Sequence, residues 1–488
     1  MPIAMMSRSA PRIVVFIVLL IYLTGTWGSN PGVGEPKVKC REAERQGLLK
    51  IKEDDYEDDE YGLLSSWGNE EEKETAVNGL EFGATTNPYL RYLDLSGINF
   101  YEQYSIPSFI GKLSKLRYLN LSYTSLNGEI PSQLGNLSSL QFLDLSGYSE
   151  LYIRNPEWVS HLSSLRVLDL SSNNMSLAHD WVQVVNNLPS LIDLKLRDCN
   201  LPDIVHSHLS LVNASKFLAV LDLSENNFSS NSLFQWLFNY SRSLVHLELT
   251  GCLYNTSIPQ AFGNMASLKF LVLIRNFLKG SIPNSFGNMT SLTYLDLVAC
   301  ELVGPIPQSF GNMIALTFLD LGFNHLEGSI PESFGNLIAL TYLDLGFNQL
   351  EGSIPRGFGN MASLEYLDLK HNMLEGEIPK SIWKLCALQQ FYAYNNSLSG
   401  QLRFAESSSI CSHFPLEFLN LEYNRNVGSL PDFTLGTILD KQRSKEDSSY
   451  LYEIDLSSNQ LEGSMPLFLL KVEFLNLFKN KFSDLNLL

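Results

Sequence analysis

The sequence predicts an α/β repeat fold, a solenoid in which each repeat adds one strand to a parallel sheet. The frame LxxLxLxxN recurs from residue 90 onward, and one short repeat cannot bury its apolar edge without neighbours. From Leu244 to Leu388 the spacing is 24 residues without a slip, a period in the leucine-rich-repeat range. The repeats open at Leu90, Leu116, Leu140, Leu165, Leu191, Leu218, Leu244, Leu268, Leu292, Leu316, Leu340, Leu364, Leu388, Leu416 and Leu451, with a partial sixteenth at Val472.

Each repeat divides into a strand, an asparagine turn and a return segment. Side chains alternate along residues 340–345, so Leu343 and Leu345 face the core and the positions between them face a concave surface. The following LEGSIP (326–331) and SFGN (333–336) segments predict a bend and a short helix or 3-10 turn on the convex side of a curved superhelix. An inward asparagine at position nine can donate to and accept from backbone groups, and ten repeats have one: Asn173, Asn226, Asn276, Asn324, Asn348, Asn372, Asn396, Asn424, Asn459 and Asn480.

The N-terminus predicts entry into the secretory pathway. Residues 1–28 have the pattern of a signal peptide, because Arg8 and Arg12 precede an apolar run at 13–23 that is shorter than the ~20 residues needed to span a bilayer. An uncleaved anchor is the alternative interpretation. Asn-x-Ser/Thr sequons predict a glycoprotein, at Asn120, Asn136, Asn174, Asn213, Asn227, Asn239, Asn255, Asn288 and Asn395.

Composition and motifs argue against nucleic-acid binding and against catalysis. With 52 Asp and Glu against 34 Lys and Arg, the net charge of −18 is unsuited to a phosphate backbone. The sequence has no P-loop, metalloprotease or serine-hydrolase motif, so we expect neither an enzyme nor a cofactor. We also expect no metal site. The acidic run 53–60 lacks the glycine of a calcium loop, and His206 and His208 fit a turn between repeats.

The repeat frame resembles one known family. The pattern LxxLxLxxNxLxGxIPxxxGN is that of plant-type extracellular leucine-rich repeats. Segments such as EWVSHLSSLRVLDLSS and DWVQVVNNLPSLIDLKLRDCNLP resemble plant receptor-like proteins, above all the receptors for fungal ethylene-inducing xylanase, over roughly residues 40 to 480. The resemblance implies an ectodomain that senses a microbial or endogenous ligand in plant defence or development. Such receptors lie on the cell surface, lack a kinase and signal through a co-receptor kinase.

The chain departs from that family at three places. Residues 29–89 are interpreted as a degenerate N-terminal cap with an acidic linker, because Cys40 and the segment 64–67 resemble the plant cap but its cysteine-rich run is absent. A polar insert lies near 436–449, and the chain stops at Leu488 inside a repeat. The membrane anchor expected in the family is absent from this chain. We interpret the end inside a repeat as truncation, whereas the missing anchor favours a secreted, soluble protein. The alternative function is a soluble inhibitor or decoy of microbial cell-wall-degrading enzymes, secreted to the apoplast.

The cysteines give two predictions. Cys199, Cys252 and Cys300 stand at position nine of alternate repeats, so their Cα atoms should lie roughly 9 to 10 Å apart, beyond the ~7 Å limit for a disulfide. We expect three free, buried thiols. Cys386 and Cys411 each precede the first leucine of adjacent repeats, and one spacing of about 5 Å suits a disulfide. Two reduced thiols on the convex side are the alternative.

The candidate ligand site lies on the concave face, centred on residues 290–375. Its aromatic and acidic side chains suit a basic or amphipathic protein or peptide segment, and a glycan on Asn120 would direct binding toward these later repeats. The alternative is that Leu-Asp-Leu serves strand packing only. After Phe270, the candidate residues are Tyr294, Phe318, Tyr342 and Tyr366 at position three, Asp296, Asp320, Asp344 and Asp368 at position five, and Phe323, Phe347 and His371 at position eight.

Overall fold

The fold is taken from a computed structural model, which describes residues 37–39, 81–83, 90–98, 105–147, 150–204, 217–229, 231–402, 416–430, 453–465, 469 and 472–484. The chain forms two compact units, residues 1–218 and 219–488. The predicted signal peptide, Cys40, the acidic run 53–60, His206 and His208, Asn213, Cys411 and the insert at 436–449 lie outside the described residues. In the cap region, Lys37–Lys39 pairs antiparallel with Glu81–Gly83.

In unit 1, the repeat strands pair in parallel and in chain order. Their central leucines align across the sheet, and each is buried. The side chains on either side of each leucine point to the opposite face, as alternation requires. The strands are Tyr92–Asp94, Tyr118–Asn120, Phe142–Asp144, Val167–Asp169 and Asp193–Lys195.

Unit 2 repeats the same arrangement. Residues 24 apart are register partners, as in Leu319 opposite Leu343 and Leu343 opposite Leu367. The solvent-facing side of these strands is the predicted concave face. The strands are Val220–Asp222, His246–Glu248, Phe270–Val272, Tyr294–Asp296, Phe318–Asp320, Tyr342–Asp344, Tyr366–Asp368, Gln390–Tyr392, Phe418–Asn420, Glu453–Asp455 and Phe474–Asn476.

The return segments form the predicted short helices and 3-10 turns. A proline such as Pro331 precedes most of the turns, and the phenylalanine of the SFGN segment, such as Phe334, is fully buried. The 3-10 turns are Ser108–Lys112, Ser132–Asn136, Pro156–His161, Phe238–Tyr240, Gln260–Asn264, Asn284–Asn288, Gln308–Asn312, Glu332–Asn336, Arg356–Asn360 and Ile382–Lys384. Within the ranges that the structure describes, the α-helices are Trp181–Asn186 and Ser232–Leu237.

Between strand and turn, the structure adds parallel pairing that the sequence analysis described only as a bend. Gly328, with φ +73°, allows the chain to turn within this segment. A second parallel sheet contains Val303–Pro305, His325–Ser329, Gln349–Gly352, Met373–Gly376, Ser397–Gln401, Arg425–Gly428, Gln460–Ser464 and Lys481–Asp484. Two shorter parallel pairs are Asn127–Glu129 with Glu150–Tyr152 and Tyr254–Thr256 with Phe277–Leu278.

The inward asparagines bridge neighbouring repeats, as predicted. Asn348 donates from Nδ2 to the carbonyl oxygens of Leu321 (3.0 Å) and Leu345 (3.2 Å). Its Oδ1 accepts from the backbone N–H of Leu326 at 3.0 Å. One amide therefore satisfies backbone groups of two repeats where the chain leaves the sheet, a place where unpaired groups would be costly.

The prediction of three free cysteines is confirmed. Cys199, Cys252 and Cys300 are fully buried and unbridged, and the Cys252 Sγ donates to the carbonyl oxygen of Leu249 at 3.2 Å. Burial raises the pKa of Cys199 and of Cys300 to about 12, because the apolar surroundings disfavour a thiolate. Cys386 is disulfide-bonded. Its predicted partner lies outside the described residues, so that pairing stays a prediction.

Candidate functional site

Aromatic rings at position three form a continuous stack on the concave face of unit 2. Ring centroids lie 4.1 Å apart for Phe270–Tyr294 and Tyr294–Phe318, 4.4 Å for Phe318–Tyr342 and 4.3 Å for Tyr342–Tyr366. These spacings follow from the separation of neighbouring strands, about 4.8 Å. We call the stack of His246, Phe270, Tyr294, Phe318, Tyr342 and Tyr366 the aromatic column.

The stacking determines which parts of the rings in the aromatic column a ligand can contact. Neighbouring rings are nearly parallel, with interplanar angles from 4° to 16°, so they cover each other's faces. Ring edges and the tyrosine hydroxyls are left for contact. Ring edges carry partial positive charge, which suits carbonyl oxygens and apolar groups of a polypeptide. The column is broken at the next strand, where position three is Gln390.

The predicted residues at position eight form a second, shorter stack. Phe323 and Phe347 lie 4.3 Å apart, and Phe347 and His371 lie 4.2 Å apart, between ring centroids. All three have a left-handed backbone with φ of 50° to 55°, a conformation that most other repeats share at this position. The side chain of Phe323 is prominent, since the residue is 54% exposed. At the far end, Nδ2 of Asn395 lies 2.6 Å from Nδ1 of His371.

The aspartates at position five do not form an exposed acidic surface. The four residues are between 0% and 9% exposed, and each Oδ1 accepts the backbone N–H two residues later: Val298, Gly322, Gly346 or Lys370. They tie the strand to the turn, which supports the packing role that the sequence left open. Each of these carboxylates therefore holds the backbone of its own turn by a hydrogen bond, in addition to carrying charge.

Burial and the closeness of other carboxylates raise the pKa values of aspartates at position five. Desolvation, with the neighbouring Asp344 carboxylate, raises the pKa of Asp320 to about 8. Desolvation, with the neighbouring Asp368 carboxylate, raises the pKa of Asp344 to about 6. Burial also raises the pKa of Asp296. Like charges on adjacent strands cannot all ionise without cost.

Lys370 is a site residue that the sequence analysis missed. Its Nζ pairs with Oδ2 of the fully buried Asp368, which also accepts the Tyr366 hydroxyl at 3.1 Å. The same Nζ lies 5.6 Å from the ring centroid of Phe347 and 5.9 Å from that of Tyr392. The signal was present at position seven, where the two preceding repeats have Gly346 and Gly322.

Unit 1 has an aromatic stack of its own, which the sequence analysis also missed. Tyr92, Tyr118 and Phe142 stack at 4.1 Å and 4.2 Å, and the stack ends where position three becomes Val167. Asn120, whose glycan was expected to direct binding elsewhere, is half-buried beside this stack. Its Nδ2 lies 3.4 Å from the Tyr118 hydroxyl.

Most of the predicted glycosylation sites are accessible. The exposed sequon asparagines are Asn136, Asn174, Asn227, Asn239, Asn255, Asn288 and Asn395. An exposed side chain is necessary for a bulky glycan but does not establish that one is attached. Glycosylation therefore stays a prediction.

The described residues have neither a membrane-spanning helix nor a metal-binding cluster. None of the helices there is long and apolar enough to cross a membrane. None of the His, Cys, Asp and Glu side chains in those ranges cluster in a way that could hold a metal ion.

Family models place repeats along the chain. A leucine-rich repeat region matches residues 84–206, leucine-rich-repeat models match 242–302 and 340–398, and a further one matches 315–337. Together the matches cover more than half of the chain. The architecture described above, a parallel strand and a short helix or 3-10 turn in each repeat, is the one these models represent.

Two curated relatives are receptor-like proteins from Solanum lycopersicum. The chain is 32% identical to receptor-like protein EIX1 over 301 residues, which are 54% of this chain and 28% of EIX1. It is 35% identical to receptor-like protein EIX2 over 276 residues, which are 49% of this chain and 26% of EIX2. The aligned region thus spans little more than a quarter of either relative.

Solved structures of plant receptors share the fold. The peptide hormone receptor RGFR1 in complex with RGF2 has a TM-score of 0.66 at 31% identity, over 81% of this chain and 60% of that one. The Arabidopsis receptor kinase HAESA, in complex with the peptide hormone IDA and the co-receptor SERK1, has a TM-score of 0.60 at 28% identity. That match covers 81% of this chain and 66% of HAESA.

Proposed function

Because the chain belongs to the leucine-rich-repeat family and is similar to plant receptor-like proteins, we propose that it is a ligand-recognition ectodomain. It acts in plant defence or developmental signalling, enters the secretory pathway and binds a protein or peptide, without catalysis. It faces the cell exterior, at the plasma membrane if a longer form is anchored. A co-receptor kinase carries the signal inward, as the HAESA complex with SERK1 illustrates for a protein of similar fold.

One observation carries the proposal. Unit 2 has two aromatic stacks, the aromatic column at position three of the repeats and the row of Phe323, Phe347 and His371 at position eight, three residues beyond the strand ends. Aromatic side chains supply much of the contact area in protein recognition at low entropic cost, because few torsions are fixed. Rings held in a stack are already ordered before a ligand arrives.

The test separates recognition from folding. The secreted chain is screened against a displayed peptide library, and the selected peptides are titrated against the Tyr342→Ala/Phe347→Ala variant. Asp344 is left in place, because its Oδ1 accepts a backbone N–H. We expect affinity to fall at least about tenfold, which corresponds to about 1.4 kcal/mol for two lost ring contacts.

The matched control lies in unit 1. Tyr118→Ala/Tyr123→Ala removes rings from the same two repeat positions, three and eight, outside the proposed site. Circular dichroism and thermal midpoints confirm that both variants fold. If the selected peptides bind the unit 2 variant as tightly as the wild type, the concave face of unit 2 is not the ligand site. The inhibitor or decoy alternative stays a prediction from the sequence.

A further inference from the structure

We propose that Asp344, Gly346 and Phe323 form a socket on the concave face of unit 2 for one cationic side chain, lysine or arginine, of the ligand. The inference rests on the proposed function and names the chemistry of one contact within it. The socket takes an aliphatic stem against the Phe323 ring and a terminal cation against the Asp344 carboxylate.

In the next repeat, a lysine of this chain already makes the contacts that we propose for the ligand. Lys370 pairs through Nζ with Oδ2 of Asp368, and that Nζ lies 5.6 Å from the centroid of the Phe347 ring. Twenty-four residues earlier, the same three positions are Gly346, Asp344 and Phe323. Because Asp344 and Asp368 are register partners in adjacent strands, the two arrangements have the same frame. The socket is the Lys370 arrangement without its lysine.

The space beside Gly346 is bounded by two carboxylates and by the stem of Lys370. A Cβ built on Gly346 would lie 3.0 Å from Oδ1 of Asp344, 3.1 Å from Oδ1 of Asp368 and 3.1 Å from Cγ of Lys370. Its φ is not in the left-handed region, so the backbone does not require glycine here. Serine stands at the same position in other repeats, as in Ser146, Ser171 and Ser224. The absent side chain therefore leaves the slightly exposed Asp344 carboxylate without a side chain of position seven over it, whereas Asp368 is fully buried and paired with Lys370.

One oxygen of the Asp344 carboxylate, Oδ2, is available to accept a hydrogen bond. It is 8% exposed, and its Oδ1 accepts the Gly346 N–H at 2.7 Å. Within the described residues, its Oδ2 makes no hydrogen bond, whereas Oδ2 of Asp368 accepts both Lys370 and the Tyr366 hydroxyl. An oxygen that accepts no hydrogen bond from the protein can accept one from an incoming ammonium or guanidinium, and such a charge-assisted bond is stronger than a neutral one.

Charge and ring contacts fix the class of occupant. Asp296, Asp320, Asp344 and Asp368 lie on adjacent strands, and Lys370 forms an ion pair with the last of them. The row therefore holds more carboxyl groups than cations, and an acidic side chain of the ligand would be repelled by its ionised members. The exposed Phe323 ring favours a cation with an apolar stem, through cation–π attraction and burial of methylenes.

The probe is a fluorescently labelled tetralysine amide, with its Nε-acetylated form as the neutral counterpart. Both are titrated by fluorescence anisotropy against the whole chain. Asp344→Asn keeps an oxygen for the Gly346 N–H but removes the charge, and we expect tetralysine affinity to fall about tenfold. Gly346→Lys places a cation where Lys370 has one and should lower affinity at least as much. The acetylated peptide should bind weakly to all of these proteins.

The control removes the same charge elsewhere. Asp144→Asn, in unit 1, retains a half-buried carbonyl that accepts the Ser146 N–H, but position seven there is serine. We expect less than about a twofold change in tetralysine affinity, since only net charge is altered. Equal losses for Asp344→Asn and Asp144→Asn would reduce the binding to general attraction by an acidic chain and overturn the socket.

The two proposals can fail separately. If library peptides depend on Tyr342 and Phe347 but tetralysine binding ignores Asp344→Asn, the concave face is the ligand site and the socket is wrong. If tetralysine binding depends on Asp344 and Gly346 but no selected peptide depends on the aromatic residues, the socket exists and the recognition proposal is wrong. Gly346→Lys need not fold for either conclusion, because Asp344→Asn carries the decision.

Discussion

The aspartates at position five of the repeats accept backbone hydrogen bonds and also place a carboxyl group in a largely buried position. Asp320 is 9% exposed, its Oδ1 accepts the Gly322 N–H at 2.9 Å, and Asp296 and Asp344 flank it on the adjacent strands. The hydrogen bond favours the carboxylate, but burial and the neighbouring acids oppose it and prevail, so the pKa of Asp320 rises to about 8. A proton held in the folded state links the stability of this region to pH.

The sign of this linkage gives the first prediction. The folded pKa of Asp320 lies above the value for an unfolded chain, about 3.9, so folding takes up a proton between these values and stability falls as pH rises from about 4 to 8. Asp320→Asn keeps the backbone hydrogen bond and removes the titration, so it should stabilise the chain more at pH 8 than at pH 5, by on the order of 1 kcal/mol per pH unit. Thermal midpoints at the two pH values measure the difference.

Asp144→Asn again provides the comparison, because it retains the same kind of backbone hydrogen bond at a half-buried position. Its midpoints at the two pH values report what the change from carboxylate to amide does by itself. If the midpoint of Asp320→Asn depends on pH as steeply as that of the wild type, the pKa of Asp320 is not raised in the folded chain.

At the scale of elements, neighbouring 3-10 turns pack closely enough to dictate glycine. A Cβ on Gly335 would lie 2.7 Å from the carbonyl oxygen and 2.8 Å from the Cα of Gly357 in the next turn, Arg356–Asn360. These are backbone atoms, which cannot move aside as a flexible side chain can. The regular GN that ends the SFGN segment is thus a packing requirement between elements, not a local turn preference.

The second prediction follows from that contact. Gly335→Ala should lower stability by about 1 to 3 kcal/mol, because the turns must separate to admit one methyl group. Gly357→Ser, which inserts the residue found at the same position in Ser309 and Ser333, should be close to neutral. Thermal midpoints of the two variants would disprove the packing argument if they fell by equal amounts.

For the whole molecule, stability is a sum over neighbouring repeats, each buried by the next. Leucines at the inward positions, phenylalanines of the return segments and the asparagine ladder fill the interiors of both units or bridge their repeats. Cysteines replace the asparagine in three repeats, and the Sγ atoms of Cys199, Cys252 and Cys300 donate to backbone carbonyls there. Their reactivity therefore reports whether each unit is folded.

The third prediction uses those thiols. In the folded chain, Cys199, Cys252 and Cys300 should resist alkylation, because they are fully buried and burial raises the pKa of each. After unfolding in denaturant without reductant, all three should be modified, as mass spectrometry of the peptides would show. Rapid labelling of any of the three under native conditions would contradict the buried position.

The sequence by itself determined the length of the repeat, the positions at which each repeat begins and the strand side chains that face solvent. Period and alternation require the leucines to point inward and residues such as Tyr342 to point outward, and the inward role of Asn348 followed from the same phase. Phe347 lies beyond the strand, where its left-handed backbone breaks the alternation. The resemblance to plant receptor-like proteins was also readable, because it depends on motif spacing. The predicted ligand residues lie on one face, and that they bind a ligand is a proposal.

The tertiary structure decided what those side chains can offer. Asp344 looked like surface charge, but its burial depends on rings and backbone from neighbouring strands, which no single repeat contains. The aromatic rings present edges only because strands 24 residues apart bring them face to face. Lys370 is recognisable as a site residue only from its contacts with Asp368 and Phe347. Gly346 becomes notable only because it occupies the position that Lys370 occupies in the next repeat. Burial and pairing arise between repeats, so they depend on the three-dimensional register.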